Sequence, residues 1–299
     1  MQAHRADEAP AGGRVMRSML FVPGDSRRKF DRALTVGADA LILDLEDSVA
    51  EAAKDAARAE TRAMLEAPRG AASRWVRVNA LDTGRTLDDL AATMPAAPDG
   101  IVLPKCETPA DVRTLACWLD AFERAHGLPA GATRIVIVAT ETAASLRALG
   151  DYRGCSERLA GMMWGAEDLA ASIGATENRR DGVLGAPFRL ARELCLVGAA
   201  AAGVAPIDTV WVDIEDLDGL REESLQARRD GFAAKAVIHP KHVPVVNAAF
   251  APSEAELEWA HRVMAALQAA GGGTARLDGK MVDKPHERLA RRLLAARRD

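Results

Sequence analysis

Eight short apolar runs, each ending in polar residues, set the strongest limit on how this chain folds. They cover residues 19–22, 40–45, 75–79, 100–104, 134–139, 161–164, 209–213 and 234–239. Helical spacing predicts helices over 27–36 (with Ser26 as N-cap), 51–65, 109–126, 142–149, 187–202 and 219–230. Runs this apolar do not suit a sheet with one face in water. Alternating with helices, they imply a parallel sheet covered on both faces. Eight such units in about 240 residues are the count and size of a closed (β/α)₈ TIM barrel. A doubly wound sheet would call for a glycine-rich phosphate turn after its first strand, and Pro23-Gly24-Asp25-Ser26 contains no G-x-G-x-x-G.

The organisation expected from this pattern is a disordered leader over 1–16, a barrel over 17–250 and a C-terminal helical extension over 251–299. Ser253 and Glu256 form a capping-box pattern before a helix whose Leu257, Ala260, Met264 and Leu267 share a face. Gly271-Gly272-Gly273 breaks that helix. A last helix follows, with Leu289, Leu293 and Leu294 on one side and Arg288, Arg291, Arg292, Arg297 and Arg298 on a solvated face. A hinged appendage of this kind suits a lid.

Composition narrows the function classes. With 48% hydrophobic and 27% charged residues the chain is an ordinary globular one, and 39 basic against 43 acidic residues leave a net charge of −4. No basic surface points to nucleic acid, and 4% aromatics give few platforms for stacking bases. No apolar run approaches the roughly 20 residues that span a membrane, and the first sixteen residues lack a signal-peptide core. Cys106, Cys117, Cys155 and Cys195 form no C-x-x-C pair and read as free buried thiols of a reducing cytoplasm. There is no H-E-x-x-H or Cys/His cluster for zinc, no G-x-S-x-G elbow, and Gly279-Lys280-Met281 fails as a phosphate loop.

In a barrel of this kind, side chains at the carboxyl ends of the strands face the active site. The sequence loads those ends with acids: Asp44, Glu46 and Asp47 after the second run, Glu141 after the fifth, Glu167 and Asp168 after the sixth, Asp213 and Glu215 after the seventh. Arg77 and Asn79 close the third run, Lys105 follows the fourth and His239 ends the eighth. Each acid alone would read as a helix N-cap. Together they repel one another unless something positive lies among them, and a divalent cation such as Mg²⁺ is the economical answer.

The segments RSMLFVPGDSRRKF, GADALILDLEDSV with Lys54 and Arg58, VRVN, LPK, ETA, WGAEDLA and GFAAKAVIHPKHV resemble the citrate lyase beta-subunit-like family. These are CoA-ester lyases of the HpcH/HpaI aldolase type, with malyl-CoA and citramalyl-CoA lyases among their relatives. The resemblance runs from about Arg17 to the C-terminus. It implies a (β/α)₈ barrel, Mg²⁺, and a carbon–carbon bond made or broken between an acyl-CoA enolate and a 2-oxo acid. By motif it implies Glu141 and Asp168 as metal ligands, with Glu141 and Glu167 also next to substrate. Arg77 would bind the substrate carboxylate and carbonyl oxygen, with Glu46 and Asp47 orienting Arg77 and metal-bound water. Phe21, Arg28, Lys29 and Arg32 would belong to the CoA site, and Ile238-His239-Pro240 would hold its nucleotide end.

Gly279-Lys280-Met281-Val282-Asp283 resembles the lid motif of these lyases, whose aspartate reaches a neighbouring subunit's active site. From position alone Asp283, before Lys284-Pro285, is a good helix N-cap. The resemblance makes it catalytic, and predicts a closed ring, a homotrimer or a dimer of trimers. The expected reaction is Mg²⁺-dependent cleavage of (S)-citramalyl-CoA or (S)-malyl-CoA to acetyl-CoA plus pyruvate or glyoxylate. A malyl-CoA thioesterase, a citryl-CoA lyase subunit and a non-catalytic CoA-ester binding subunit stay open as alternatives.

Overall fold

The computed structural model describes residues 16–180 and 182–297. Residues 1–15 of the expected leader lie outside the described residues, as does Arg298 of the basic face. Met16, placed in that leader by sequence, instead packs on the barrel core.

The chain begins β1 (Ser18–Pro23), α1 (Arg27–Ala33), β2 (Ala40–Asp44), α2 (Lys54–Glu66), β3 (Ser73–Arg77), α3 (Thr86–Thr93) and β4 (Gly100–Leu103). It continues with α4 (Pro109–Ala125), β5 (Arg134–Val138), β6 (Leu159–Met163), α5 (Glu167–Ile173) and a small hairpin, β7 (Arg179–Arg180) and β8 (Val183–Leu184). Next come α6 (Ala186–Ala202), β9 (Ala205–Asp208), α7 (Leu217–Asp230), β10 (Ala234–Val237) and α8 (His242–Phe250). The last elements are α9 (Glu254–Ala269), the hairpin β11 (Ala275–Leu277) and β12 (Lys280–Val282), and α10 (Lys284–Ala295).

Eight parallel strands close a barrel in the order β1-β10-β9-β6-β5-β4-β3-β2. Every residue of β2, β4 and β10 is buried, because the barrel interior covers one face and helices the other. Ile42, Trp75, Val102, Val136, Met163 and Ile207 belong to the packed core of the barrel. Gly100 has no side chain because the Trp75 ring occupies that space. No helix is long and apolar enough to cross a membrane among the described residues.

Several expected elements are displaced. The seventh strand is β9 at 205–208, not 209–213. The run TVWVD has higher strand propensity, yet it lies in the loop beyond β9, with Val212 exposed and the Arg179 guanidinium 5.0 Å from the Trp211 ring. The expected helix over 142–149 is only a single turn at Ser145–Arg147. There Ser145 Oγ donates to the Thr142 carbonyl at 2.7 Å and Thr142 Oγ1 accepts from the Ser145 N–H at 3.1 Å, local bonds that compete with a helix ladder. Ser26 sits at an N-cap without a capping side-chain bond. Cys106 and Cys195 are buried, but Cys117 is exposed and Cys155 half-buried.

Two buried networks tie the barrel to its helices. Arg74 Nη1 donates to the carbonyls of Met64, Leu65 and Ala67, satisfying acceptors that the end of α2 would otherwise leave orphaned. Glu123 accepts from the N–H groups of Gly131 and Thr133, both at 2.8 Å, and from Arg158 Nη1 at 2.7 Å. Burial pushes the Glu123 carboxyl up, but Arg158 and the two amides outweigh it and hold it at about 2, below the ordinary 4.5. A depressed folded-state value means this stabilisation is complete above pH 4.5 and is lost as pH falls toward 2. Denaturant titrations at pH 7 and pH 3 should show Glu123→Gln losing most of its deficit against the parent at the lower pH.

The contacts divide the chain into two units, 16–249 and 250–297 among the described residues. In the second, Ala260, Val263, Leu267, Val282 and Ala290 form a small core, with Leu293 and Leu294 packed on it. Leu289, expected on the same apolar side, is instead exposed. The Ser253–Glu256 capping box is present, with the Ser253 N–H donating to Glu256 Oε2 at 2.8 Å.

Candidate functional site

A cavity of about 1020 Å³ opens at the carboxyl ends of the barrel strands. Phe21 from β1, Asp44 from β2, Arg77 from β3, Val138 from β5 and Met163 from β6 contribute to its lining. Asp47, Glu141, Glu167 and Asp168 line it from the loops and from the start of α5. Arg28, Lys29 and Arg32, all exposed on α1, stand on one wall, and Ile238, His239 and Pro240 on another. None of these three basic residues forms an ion pair among the described residues, so their charge is open to an anion.

The polar centre is built around Arg77. Its Nε donates to Asp44 Oδ1 at 2.7 Å and its Nη2 to Asp44 Oδ2 at 2.8 Å, a two-pronged fork. Burial pushes the Asp44 carboxyl up, but Arg77 outweighs it and holds the group below its ordinary value. Gly24 lets the chain after β1 pass close to the Asp44 backbone: its N–H donates to the Asp44 carbonyl at 2.8 Å, and a Cβ there would lie 2.7 Å from the same oxygen. The Arg77 guanidinium also sits 4.9 Å from the centre of the Phe21 ring.

Glu46 is buried behind this layer. Lys105 Nζ donates to its Oε1 at 2.5 Å, and Arg77 Nη1 lies 3.0 Å from its Oε2, an atom that nonetheless completes no hydrogen bond. The turn that presents Glu46 is clamped by Lys54, whose ammonium donates to the carbonyls of Leu45 and Glu46 and to Asn79 Oδ1, each at 2.7 Å. Asn79 in turn donates through Nδ2 to Asp89 Oδ2 at 2.7 Å. Its side chain is thus taken up by this clamp.

Glu141 follows β5 and accepts a short bond from the Lys105 backbone N–H. Burial, then the nearby Glu46 and Asp168 charges, push its carboxyl up to about 8. That is an acid cluster short of positive charge, in which Glu46 Oε2 faces Arg77 without completing a hydrogen bond. Hard oxygen donors in such a setting fit a hard divalent cation. No group of three or more His, Cys, Asp and Glu side chains is placed to hold a metal among the described residues. A cation here would therefore rest on two protein carboxylates, leaving its other positions to water and ligand.

Asp213 and Glu215, expected at the rim, do not line the cavity. Asp213 Oδ1 accepts from the Glu215 N–H at 3.0 Å, and Glu215 pairs with Lys241 at 2.7 Å. Asp283 belongs to the second unit, at the N-cap of α10, with its Oδ1 2.6 Å from His286 Nδ1. Sequence reasoning placed Asp44 and Lys105 at strand ends without assigning them to the site. The fork and the bridging ammonium appear only in three dimensions.

A closed parallel barrel with buried carboxylates and a forked arginine at a cavity on its carboxyl face, walled by Arg28, Lys29 and Arg32, defines a barrel protein with a built polar site for a small anionic ligand. A family model described as HpcH/HpaI aldolase/citrate lyase matches residues 17–240, and the chain belongs to that family. It is 37% identical over 293 residues to a (3S)-malyl-CoA thioesterase of Cereibacter sphaeroides, covering 93% of each chain. It is 32% identical over 284 residues to a mitochondrial citramalyl-CoA lyase of Mus musculus, covering 90% of this chain and 82% of that one. The solved structure of CitE from Mycobacterium tuberculosis, in complex with magnesium, acetoacetate and coenzyme A, superposes with a TM-score of 0.75. That likeness is 37% identical and covers 94% of this chain and 97% of that one.

Proposed function

We infer that the protein is a Mg²⁺-dependent lyase of 3-hydroxy-3-carboxyacyl-CoA esters, with (S)-citramalyl-CoA or (S)-malyl-CoA as substrate. The observation that carries this reading is one cavity joining a cation-poor acid cluster, a forked arginine and an unpaired basic wall. Glu141 and Asp168 would hold the metal, which when bound supplies Lewis-acid stabilisation of charge on the substrate's hydroxyl and carboxylate oxygens.

The chain's own groups do the rest. Arg77, fixed by Asp44, donates to the oxygen on which negative charge grows as the carbon–carbon bond breaks. Glu46 and Asp47 keep Arg77 in place. The apolar lining from Phe21, Val138 and Met163 keeps water from the enolate of acetyl-CoA, and Arg28, Lys29 and Arg32 take the phosphates of the CoA tail. Asp283 exchanges the proton at the enolate carbon, serving a neighbouring chain of a ring, a homotrimer or a dimer of trimers. The relative named as a malyl-CoA thioesterase supports a second reading, in which water cleaves the thioester in the same cavity.

The two readings separate in one chromatographic assay of (S)-citramalyl-CoA and (S)-malyl-CoA, with Mg²⁺ and with chelator. Acetyl-CoA appearing together with a 2-oxo acid, only with metal, is the expected result. Free CoA with intact malate would replace the lyase reading by the thioesterase, and an unchanged rate in chelator would remove the metal from the reaction.

A further inference from the structure

Lys105 has an unusual backbone. Its φ is +48°, in the left-handed region that non-glycine residues seldom occupy. That conformation turns its N–H onto Glu141 while its side chain runs into the acid cluster. The ammonium lies 2.5 Å from Glu46 Oε1, 3.7 Å from Asp168 Oδ1 and 3.9 Å from Asp47 Oδ1. It is thus the mobile cation of the cluster: the other one, Arg77, is locked in its fork with Asp44, whereas the Lys105 side chain is one-third exposed (33%) on a flexible stem.

We propose that the Lys105 ammonium is a tethered counter-ion that competes with the divalent cation for the acid cluster and so weakens the binding of that cation. The inference rests on the reading that Glu141 and Asp168 hold Mg²⁺. In the metal-free protein the ammonium offsets part of the repulsion among Glu46, Asp47 and Asp168. A cation arriving at Glu141 and Asp168 meets a like charge and must drive it toward Glu46 and Asp47, which already receive it. The device keeps the metal-free cluster tolerable and keeps the metal exchangeable. A lysine that merely supported the carboxylates would act in the opposite direction, since losing it would loosen the ligands and weaken binding.

The test is calorimetric titration of the metal-free, full-length protein with Mg²⁺, repeated with Mn²⁺ read by electron paramagnetic resonance. Two variants carry it. Lys105→Gly removes the ammonium, relieves the positive φ and keeps the N–H that serves Glu141. Lys105→Met removes the charge but keeps the backbone demand. The expected result is a dissociation constant lower by about tenfold or more in both variants, as the loss of a like charge a few ångströms from the site requires. Lys105→Arg, which keeps the charge, should bind like the parent. Equal or weaker binding in Lys105→Gly and Lys105→Met, with binding still abolished by Glu141→Gln, would overturn this inference alone. A parent that binds no Mg²⁺, or whose binding survives Glu141→Gln, would overturn the metal reading and the inference with it.

Discussion

Replacing Arg77 by lysine should lower kcat/KM by about a thousandfold while leaving a folded barrel, because the lost element is geometric. The guanidinium spends two of its five N–H groups on Asp44, at 2.7 and 2.8 Å, and keeps the others for Glu46 and for ligand. Lysine retains a positive charge beside Asp44, so that buried carboxylate is still neutralised and the thermal transition should move by only a few degrees. It cannot hold Asp44 with a planar fork and present further donors to a developing oxyanion at once. The Asp44→Asn variant tests the same point from the other side, since Arg77 stays but is no longer fixed. The double variant should be little worse than Arg77→Lys alone, as expected of two residues acting as one unit. An Arg77→Lys protein within about tenfold of the parent would show that the fork aligns no reacting oxygen.

What sequence could reveal follows from which interactions are local. The all-apolar runs of β2, β4 and β10 announce a doubly covered parallel sheet, because burial on both faces leaves a mark on every residue. β9 was misplaced because Ala205-Pro206-Ile207-Asp208 has little strand propensity of its own. It is a strand because β6 and β10 flank it, and propensity favours the neighbouring Thr209–Asp213 run instead. α8 carries little helical signal of its own, since three of its nine residues are valines and Pro244 disfavours a helix interior, yet Pro244 lies in the first turn, where a proline costs a helix little. In the cavity, Arg77, Glu141 and Asp168 were visible as polar residues at strand ends. Asp44 was not separable from Glu46 and Asp47 by pattern, since nothing in the order of residues says which acid a distant arginine will grip. Lys105 was legible as a cation after the fourth run, but not the backbone angle that turns its N–H onto Glu141, since residue identity disfavours it.

Glu141→Gln should abolish metal-dependent turnover, by about a thousandfold or more, and yet make the metal-free protein more stable at alkaline pH. Burial and the charges of Glu46 and Asp168 raise the Glu141 carboxyl to about 8, above the ordinary 4.5. For an acid whose folded-state value is raised, the penalty is absent below pH 4.5, grows as pH rises to 8 and is complete beyond it. Glutamine has the same shape and can still accept from the Lys105 N–H, but it carries no charge and so escapes the penalty. Denaturant melts in chelator should therefore show the variant equal to the parent near pH 4 and ahead by about 5 kcal/mol at pH 8.5. With saturating Mg²⁺ the order should reverse, since a ligand that binds only the folded parent stabilises only the parent. Asp168→Asn makes the comparison sharper. Asp168 is about one-third exposed (36%), so its charge is cheap to keep, and that variant should lose turnover with almost no gain in metal-free stability. A Glu141→Gln protein that gains no stability in chelator would mean that the buried acid is already balanced by Lys105 and Arg77, and the cluster would then have no deficit for a divalent cation to fill.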